Sequence, residues 1–493
     1  MSTQSGGMVI EMGDEKIGSI YFFGAGKRGQ TCLKVFKDYG IVPDGILDNN
    51  RELCGKMYEN VMVYSPDILR TVHLEKIFIT CNSESEIYCQ LLDLGVGKKK
   101  IVTGYHDILN HLIYYSAQKA GSVNKIKALP DKHGREKIIF DLQNGLVLGG
   151  VEAWSYEQAK NFKRNGYQGV YLTTDTVDSA VADYVYPVCI LNNREYETEK
   201  DRIKICVEKI IEHLPCIIIC NFPQQIFWSA CIVRRLYPDH VRVIAVHHSD
   251  DELYYHAYSL WQKEIDKCMV ISSQIKNKLL FLGMEGKKIS YLKWKVVCEE
   301  YINRTWNKVL APLQIGYAGR ITVVSKRIDV LPELAVKLKE KNICCQINIA
   351  GSGEYEAILQ QRVKDENIEK DIMFAGYIDR EYLPDFWKNQ DIMISCSERE
   401  GHSISQSEAM AAGAVPVITD VSGARDDVTD GYNGFVVPVG DVDALADRIC
   451  YLYYNRDELV RMGKCAHDTI YERQKNLNQT EFWNKLLKEV WES

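Results

Sequence analysis

Residues 398–413 read EREGHSISQSEAMAAG, and this stretch decides how the rest of the chain is parsed. Two carboxylates, Glu400 and Glu408, stand eight positions apart in it. The first follows an apolar run, Ile392 to Ser397, that reads as a buried strand. The second falls in a helix expected to start near Ser403. At about 1.5 Å of rise per helical residue, the two acids lie roughly 10–15 Å apart. The helix N-terminus between them offers free N–H groups and the positive end of its dipole. Two glutamates at this spacing are common on solvated surfaces, so the flanking sequence has to carry the reading.

Downstream, Ala409-Met410-Ala411-Ala412-Gly413 is a tight helical run ended by a glycine. Ala414-Val415-Pro416-Val417-Ile418 then reads as a buried strand. Asp430-Gly431-Tyr432-Asn433-Gly434 follows, with Pro438, then Gly440-Asp441 and Ala444-Leu445-Ala446. This ordered set resembles the C-terminal half of the retaining glycosyltransferases of family 4. The resemblance implies an α/β chain of GT-B architecture, two facing Rossmann-like domains, acting on a nucleotide-sugar. The span between Glu400 and Glu408 is about that between the sugar and the ribose of such a ligand, and both ends present hydroxyls that carboxylates accept.

With 493 residues the chain is long enough for two or three domains. Hydrophobic residues make up 46% and charged residues 26%, an ordinary globular balance. The net charge of −7 argues against a nucleic-acid partner. Residues 1–16 are polar rather than signal-like, and runs such as Pro215 to Cys220 are too short to cross a bilayer. The expectation is a cytoplasmic protein, with peripheral contact at the inner face of the membrane as an added reading. The 16 cysteines include no CxxC pair and no zinc spacing, so they read as reduced thiols in apolar segments.

Three segments follow from the pattern. In residues 1–118, Ile17 to Phe23 reads as a strand that runs into Gly24-Ala-Gly26-Lys-Arg-Gly29. A helix (Thr31 to Tyr39) and a second strand (Ile41 to Leu47) ending at Asp48 follow. This is the order of a mononucleotide-binding βαβ unit. If the module holds a ligand, Gly26 allows a phosphate to approach and Asp48 accepts from a ribose. The same turn also serves merely to pack a helix on a strand. The module resembles small Rossmann-like units attached to sugar-transferring enzymes. Residues 119–136, rich in Lys and Gly, read as a linker. Residues 137–308 alternate strands and helices as the acceptor-side GT-B domain, and 309–470 do so as the donor-side domain. Residues 471–493 end in an amphipathic helix expected to cross back to the first GT-B domain.

Transfer from an activated diphosphate needs the leaving group neutralised, the sugar held and the acceptor placed. The resemblance assigns the first task to Arg320 and Lys326, on and after a strand end, as a forked and a point cation. It assigns sugar hydroxyls to Glu400 and the amides of Gly401, His402 and Ser403, and the ribose diol to Glu408. Relatives often carry an aromatic at the position of His402, which reads either as an extra donor beside the sugar or as a spacer. His248, with His247 as the alternative, ends a strand near the donor sugar. The loop holding Gly149, Gly150 and Glu152 resembles the family's glycine loop whose amides face the donor diphosphate, or reads as a plain βα turn. Gly351, Gly353, Gly376 and Tyr377 border the nucleobase, with Tyr377 either stacking or buried. Asp441-Val442-Asp443 reads as a helix cap and first turn, so no metal is assigned.

The donor is therefore expected to be a UDP- or GDP-sugar, no further cofactor is required, and the acceptor is a glycan or lipid-linked hydroxyl in surface polysaccharide synthesis. Where relatives carry Pro-Asn-Gly, this chain has Leu292-Lys293-Trp294-Lys295-Val296. Together with Lys276, Lys278, Leu279, Leu280 and Phe281, that stretch suggests a membrane footing or an ordinary surface helix. Two other readings stand beside transfer. One is a nucleotide-binding regulatory or scaffold protein with an idle site. The other is a bifunctional enzyme with dehydrogenase chemistry in the first module, where no Tyr-x-x-x-Lys stands in the short region directly after the glycine turn.

Overall fold

The computed structural model describes residues 19–119, 137–143, 150–174, 185–192, 195–196, 198–292, 294–302, 304, 311–475 and 477–492. Of the proposed linker 119–136, Lys119 ends helix Tyr105–Lys119 and residues 120–136 lie outside the described residues, as do the loop bearing Gly149 and Lys293. The described chain is α/β, with three sheets. In the first, β1 (Ser19–Phe23), β2 (Gly45–Leu47), β3 (Met57–Tyr58), β4 (Val61–Tyr64), β5 (Leu74–Ile79) and β6 (Ile101–Val102) run in the order β3-β4-β2-β1-β5-β6. All its pairs are parallel except β3 with β4. The second strand is shorter than its apolar run, because Pro43 lacks an amide for the ladder.

The second sheet holds β7 (Lys137–Asp141), β8 (Gly169–Thr173), β9 (Val188–Ile190), β10 (Cys216–Cys220), β11 (Val241–His247), β12 (Lys267–Val270) and β13 (Ile289–Tyr291). Their order is β13-β12-β11-β10-β7-β8-β9. β10 reads CIIIC and is buried throughout, as a parallel strand covered on both faces requires. The third sheet holds β14 (Leu313–Ala318), β15 (Cys345–Ala350), β16 (Ile372–Gly376), β17 (Ile392–Ser395), β18 (Val415–Thr419) and β19 (Phe435–Val437). It is parallel throughout, in the order β16-β15-β14-β17-β18-β19. β18 tolerates Pro416, its second residue, because Gly434, immediately before β19, leaves room: a Cβ there would lie 2.5 Å from Pro416 Cγ.

Contact density divides the described chain into residues 1–246 with 252–268, and residues 247–251 with 269–493. In the first unit, the first sheet is joined to the helices of the second. Asn110, on helix Tyr105–Lys119, is buried, and its Oδ1 accepts the indole N–H of both Trp228 and Trp261 at 2.9 Å. Two otherwise stranded donors are thereby satisfied by one amide. Tyr114 meets Trp261 edge-on beside it, with ring centroids 5.1 Å apart. The second unit contains two apolar cores around the third sheet, one on each side of β14 and β17. Its last helix, Gln479–Glu492, buries Trp483, Leu486, Leu487 and Val490. No helix among the described residues is long and apolar enough to cross a membrane.

Candidate active site

The stretch quoted first folds as strand, turn and helix. β17 ends at Ser395, the chain turns, and Ser403 caps helix Ile404–Ala411, its Oγ accepting from Gln406 N at 3.3 Å. The helix closes in a Schellman turn. Gly413 takes φ +77°, its amide bonds Met410 O, and Ala414 N reaches Ala409 O. A side chain is impossible at Gly401, where a Cβ would lie 2.2 Å from His248 O and 2.7 Å from Ile271 Cδ1. The peptide of Asp250 adds a bond to Glu400 O at 3.4 Å. The backbone of residues 248–250 and the 400–401 turn are thus in direct contact. His248 is half-buried and His247 buried, and desolvation pushes both imidazoles down to about 3, so both are neutral at pH 7.

Lys326 and Glu400 form one ion pair. Lys326 Nζ lies 2.5 Å from Glu400 Oε1, and Ser397 Oγ donates to the same oxygen at 2.7 Å. Lys326 is presented by an unusual backbone, since Ser325 (φ +67°) and Arg327 (φ +49°) on either side are both left-handed. Left-handed non-glycine residues are uncommon and cluster at functional sites. The turn is held against the acid's own loop by Glu398 N, which donates to Ser325 O at 2.9 Å. Arg327 is spent on Asp329, at 3.1 Å and 3.3 Å. Arg320 is exposed, and its guanidinium makes no ion pair among the described residues.

Glu408 sits one helix turn further in, 15% exposed, with Arg380 Nε at 3.7 Å from Oε1. Burial pushes this carboxyl up to about 7 against the pull of Arg380. Arg380 lies in turn over the ring of Trp294, 5.3 Å from its centroid. Tyr377 is exposed, which removes the reading of it as core. The nearby glycines answer to crowding. A Cβ at Gly351, which has φ +142°, would lie 1.9 Å from Gly319 O, and one at Gly353 would lie 2.3 Å from Ile321 O. Two strand-end loops thereby approach backbone to backbone.

In the first sheet, the glycine turn and its acid serve each other. Asp48 Oδ2 accepts from Ala25 N at 2.8 Å, and Oδ1 accepts from Asn50 N at 2.8 Å. Gly24 takes φ +119°, and a Cβ at Gly29 would lie 1.9 Å from Gly24 O. Of the three glycines in this turn, Gly26 opens on free space, at the start of helix Lys27–Asp38. Gly150 is the first residue of helix Gly150–Arg164. Asp441 caps helix Val442–Tyr454 through Ala444 N at 2.9 Å, and among the described residues no cluster could hold a metal ion.

Sequence reasoning overlooked Arg380 and Ser397, and also Ser407, Asp427 and Arg473, which are linked to one another and to the imidazole of His402. Ser397 had a local signal, as the hydroxyl closing the strand three residues before Glu400. Ser407 directly precedes Glu408 in the same helix, whereas Arg380, Asp427 and Arg473 meet the site only through the fold.

Residues 300–469 match the family model for glycosyl transferases group 1, and residues 17–102 match the N-terminal model of C2185-like proteins. The chain is 28% identical over 176 residues to the poly(ribitol-phosphate) alpha-N-acetylglucosaminyltransferase of Staphylococcus aureus, covering 35% of each chain. It is 27% identical over 182 residues to the amylovoran biosynthesis glycosyltransferase AmsK of Erwinia amylovora, covering 36% of this chain and 44% of that one. The chain thus spans well under two thirds of the length of these relatives. Among solved structures, a S. aureus TarM point mutant in complex with fondaparinux, alpha-GlcNAc-glycerol and UDP superposes with TM-score 0.59 at 15% identity, covering 73% of this chain and all of that one. Anabaena Alr3699/HepE in complex with UDP and glucose gives TM-score 0.57 at 16% identity, covering 72% and 98%. The fold is GT-B.

Proposed function

We propose that the chain is a retaining glycosyltransferase of family 4 that moves a sugar from a nucleoside-diphosphate donor to a hydroxyl of a surface glycan or its lipid-linked precursor. The reading rests on one observation above the others. Lys326 is held by a left-handed turn against Glu400, next to the amides of the 401–403 turn, inside the stretch that matches the glycosyl transferase model.

The division of labour follows from the bonds already made. Glu400 Oε1 is filled by Lys326 and Ser397, which leaves Oε2 to accept sugar hydroxyls. The Lys326 ammonium has three donors and spends one on Glu400, so it can meet a phosphate oxygen without releasing the acid. Arg320, exposed at the end of β14, adds a forked cation. As the bond from C1 to the phosphate oxygen breaks, its electron pair leaves with the diphosphate. Arg320, Lys326 and the turn amides then stabilise the growing charge. The acceptor oxygen attacks from the same face and passes its proton to the leaving phosphate oxygen. Neutral His248 needs no base role and serves as a hydrogen-bond partner to the sugar. Glu408 receives the ribose. UDP is favoured over GDP because the matched structures of TarM and Alr3699/HepE hold UDP. Residues 137–308 serve as the acceptor side and 309–470 as the donor side. A membrane footing at helix Ser273–Phe281 is supported by Phe281, 88% exposed at its end, and exposed Lys276 on its surface. Phe281→Ser should abolish co-sedimentation with anionic vesicles, and unchanged sedimentation removes that footing.

The test is release of nucleoside diphosphate from a panel of UDP- and GDP-sugars. Lys326→Ala should lower the rate on the order of a hundredfold. Equal rates for mutant and wild type overturn the site. Binding without turnover by the wild type favours the scaffold reading with an idle site.

A further inference from the structure

The imidazole of His402 is directed away from the turn that carries it. It is 7% exposed, and its Nε2 lies 3.1 Å from Ser407 Oγ and 3.6 Å from Asp427 Oδ2. Ser407 Oγ donates to that same Asp427 oxygen at 3.1 Å, and Arg473 Nη1 donates to it as well. The network assigns the proton of His402 to Nε2, donating to Ser407. Three side chains from three segments thus converge on one carboxylate oxygen. Asp427 and Arg473 are both nearly inaccessible, at 3% and 6%.

A buried ion pair is weak evidence for stability, since apolar residues of like volume often do as well. Its placement here suggests what it does instead. Gly423, at φ +78°, precedes helix Ala424–Asp427, and a Cβ there would lie 2.8 Å from Gly401 O and 3.0 Å from His402 Cα. The 401–402 turn is therefore gripped by Gly423 and, through Gly401, by His248 O. Its one side chain is latched to Asp427. Asp427 is itself held by Asn433, whose Nδ2 donates to its carbonyl at 2.9 Å. Arg473 follows Ile470 by three residues on helix Arg456–Lys475, and Ile470 packs in one core with Ala409 and Met410 of the site helix.

We propose that Arg473 is a positioning residue for the donor site: through Asp427 it fixes His402, and with it the peptide planes of Gly401, His402 and Ser403 that meet the donor diphosphate. This rests on the reading of those amides given above. Specificity for the donor is then set partly from a helix that touches no ligand, and His402 acts as a latch rather than as a sugar contact.

The electrostatics give a readout that a merely structural role would not move. Burial holds His402 below its ordinary value. The charge of Arg473 on helix Arg456–Lys475 lowers it further, while Asp427 and Asp426 on helix Ala424–Asp427 and Glu400 on its own turn raise it. Removing Arg473 leaves the three acids unopposed, so the imidazole gains affinity for a proton. A protonated His402 then replaces the lost cation beside Asp427. The defect of an Arg473 variant is therefore largest at high pH and shrinks as pH falls.

The experiment is calorimetric titration of the full chain with UDP at pH 8 and pH 6. Arg473→Met should weaken binding about tenfold at pH 8, close to one lost oriented contact. The ratio of its Kd to the wild-type Kd should fall at pH 6. Arg473→Lys should restore most of the affinity. Arg461→Met, on the same helix but paired with Glu458, should bind as the wild type does. If Arg473→Met does not fold, Asp427→Asn combined with Arg473→Met leaves no unpaired buried charge and should show the same loss. Wild-type affinity in Arg473→Met or in the double variant, or a ratio independent of pH in Arg473→Met, overturns the inference. A wild type that binds no UDP overturns the donor-site reading itself, which is a separate result.

Discussion

Glu408→Gln should make the protein more stable and bind its donor less well, and both effects can be sized. Burial raises the Glu408 carboxyl from 4.5 to about 7, although Arg380 opposes the shift. In the unfolded chain the same acid titrates near its ordinary value. Between those two points the folded chain holds a proton that the unfolded chain has lost. Stability therefore falls as pH rises through that window and stays low above it. At about 1.4 kcal/mol per pH unit, the cost of the buried carboxylate is about 3 kcal/mol at pH 8 and under about 1 kcal/mol at pH 5. A glutamine carries no charge and avoids that cost. The lost pairing with Arg380, which is 43% exposed, subtracts little. Thermal unfolding of the full chain should show the mutant melting several degrees higher at pH 8, at about 2–4 °C per kcal/mol for a unit of this size, with the gain mostly gone at pH 5. UDP titration should show at least a tenfold loss at pH 8, because the charged acceptor for the ribose is gone. A mutant that melts with the wild type at both pH values, or below it at pH 8, refutes the assignment of a buried, costly carboxylate.

Further outcomes can be checked on the same material. Gly353→Ala presses a methyl to 2.3 Å from Ile321 O and should cost roughly 1–3 kcal/mol in thermal unfolding; an unshifted transition would mean that the two strand-end loops are not in contact. Asn110→Ala strands two indole N–H groups and should cost roughly 2–5 kcal/mol. Limited proteolysis should then release the first sheet, and resistance equal to the wild type would show that this amide does not join the sheets.

The spacing of glycines and apolar runs located most strands within a few residues, because strand and helix periods are local properties. The Asp441 cap and the helix starting after Ser403 were legible for the same reason: a cap is settled within four residues. Where a boundary moved, a local cause is visible. Helix Lys27–Asp38 begins earlier than its apolar periodicity, since its first turn, Lys27-Arg28-Gly29, carries no apolar residue to announce it.

The order of the acids, cations and glycines along the chain resembled that of family-4 glycosyltransferases closely enough to point to the GT-B fold, and the proposed nucleotide-sugar site is what that resemblance implies. Which group each charge would choose was beyond the sequence. Lys326 and Glu400, given separate duties by the family resemblance, share one bond across 74 positions. Arg380 finds Glu408, and Arg473 finds Asp427 across 46 positions. Asp48, whose place after a strand suggested a ribose, spends both oxygens on its own turn. His402, the one unusual residue between the two glutamates, turns inward to a carboxylate that no spacing rule connects to it. Pairings of this kind are decided by burial. A charge withdrawn from water must find a partner among whatever the packed chain brings within reach, and only the tertiary structure determines what that is.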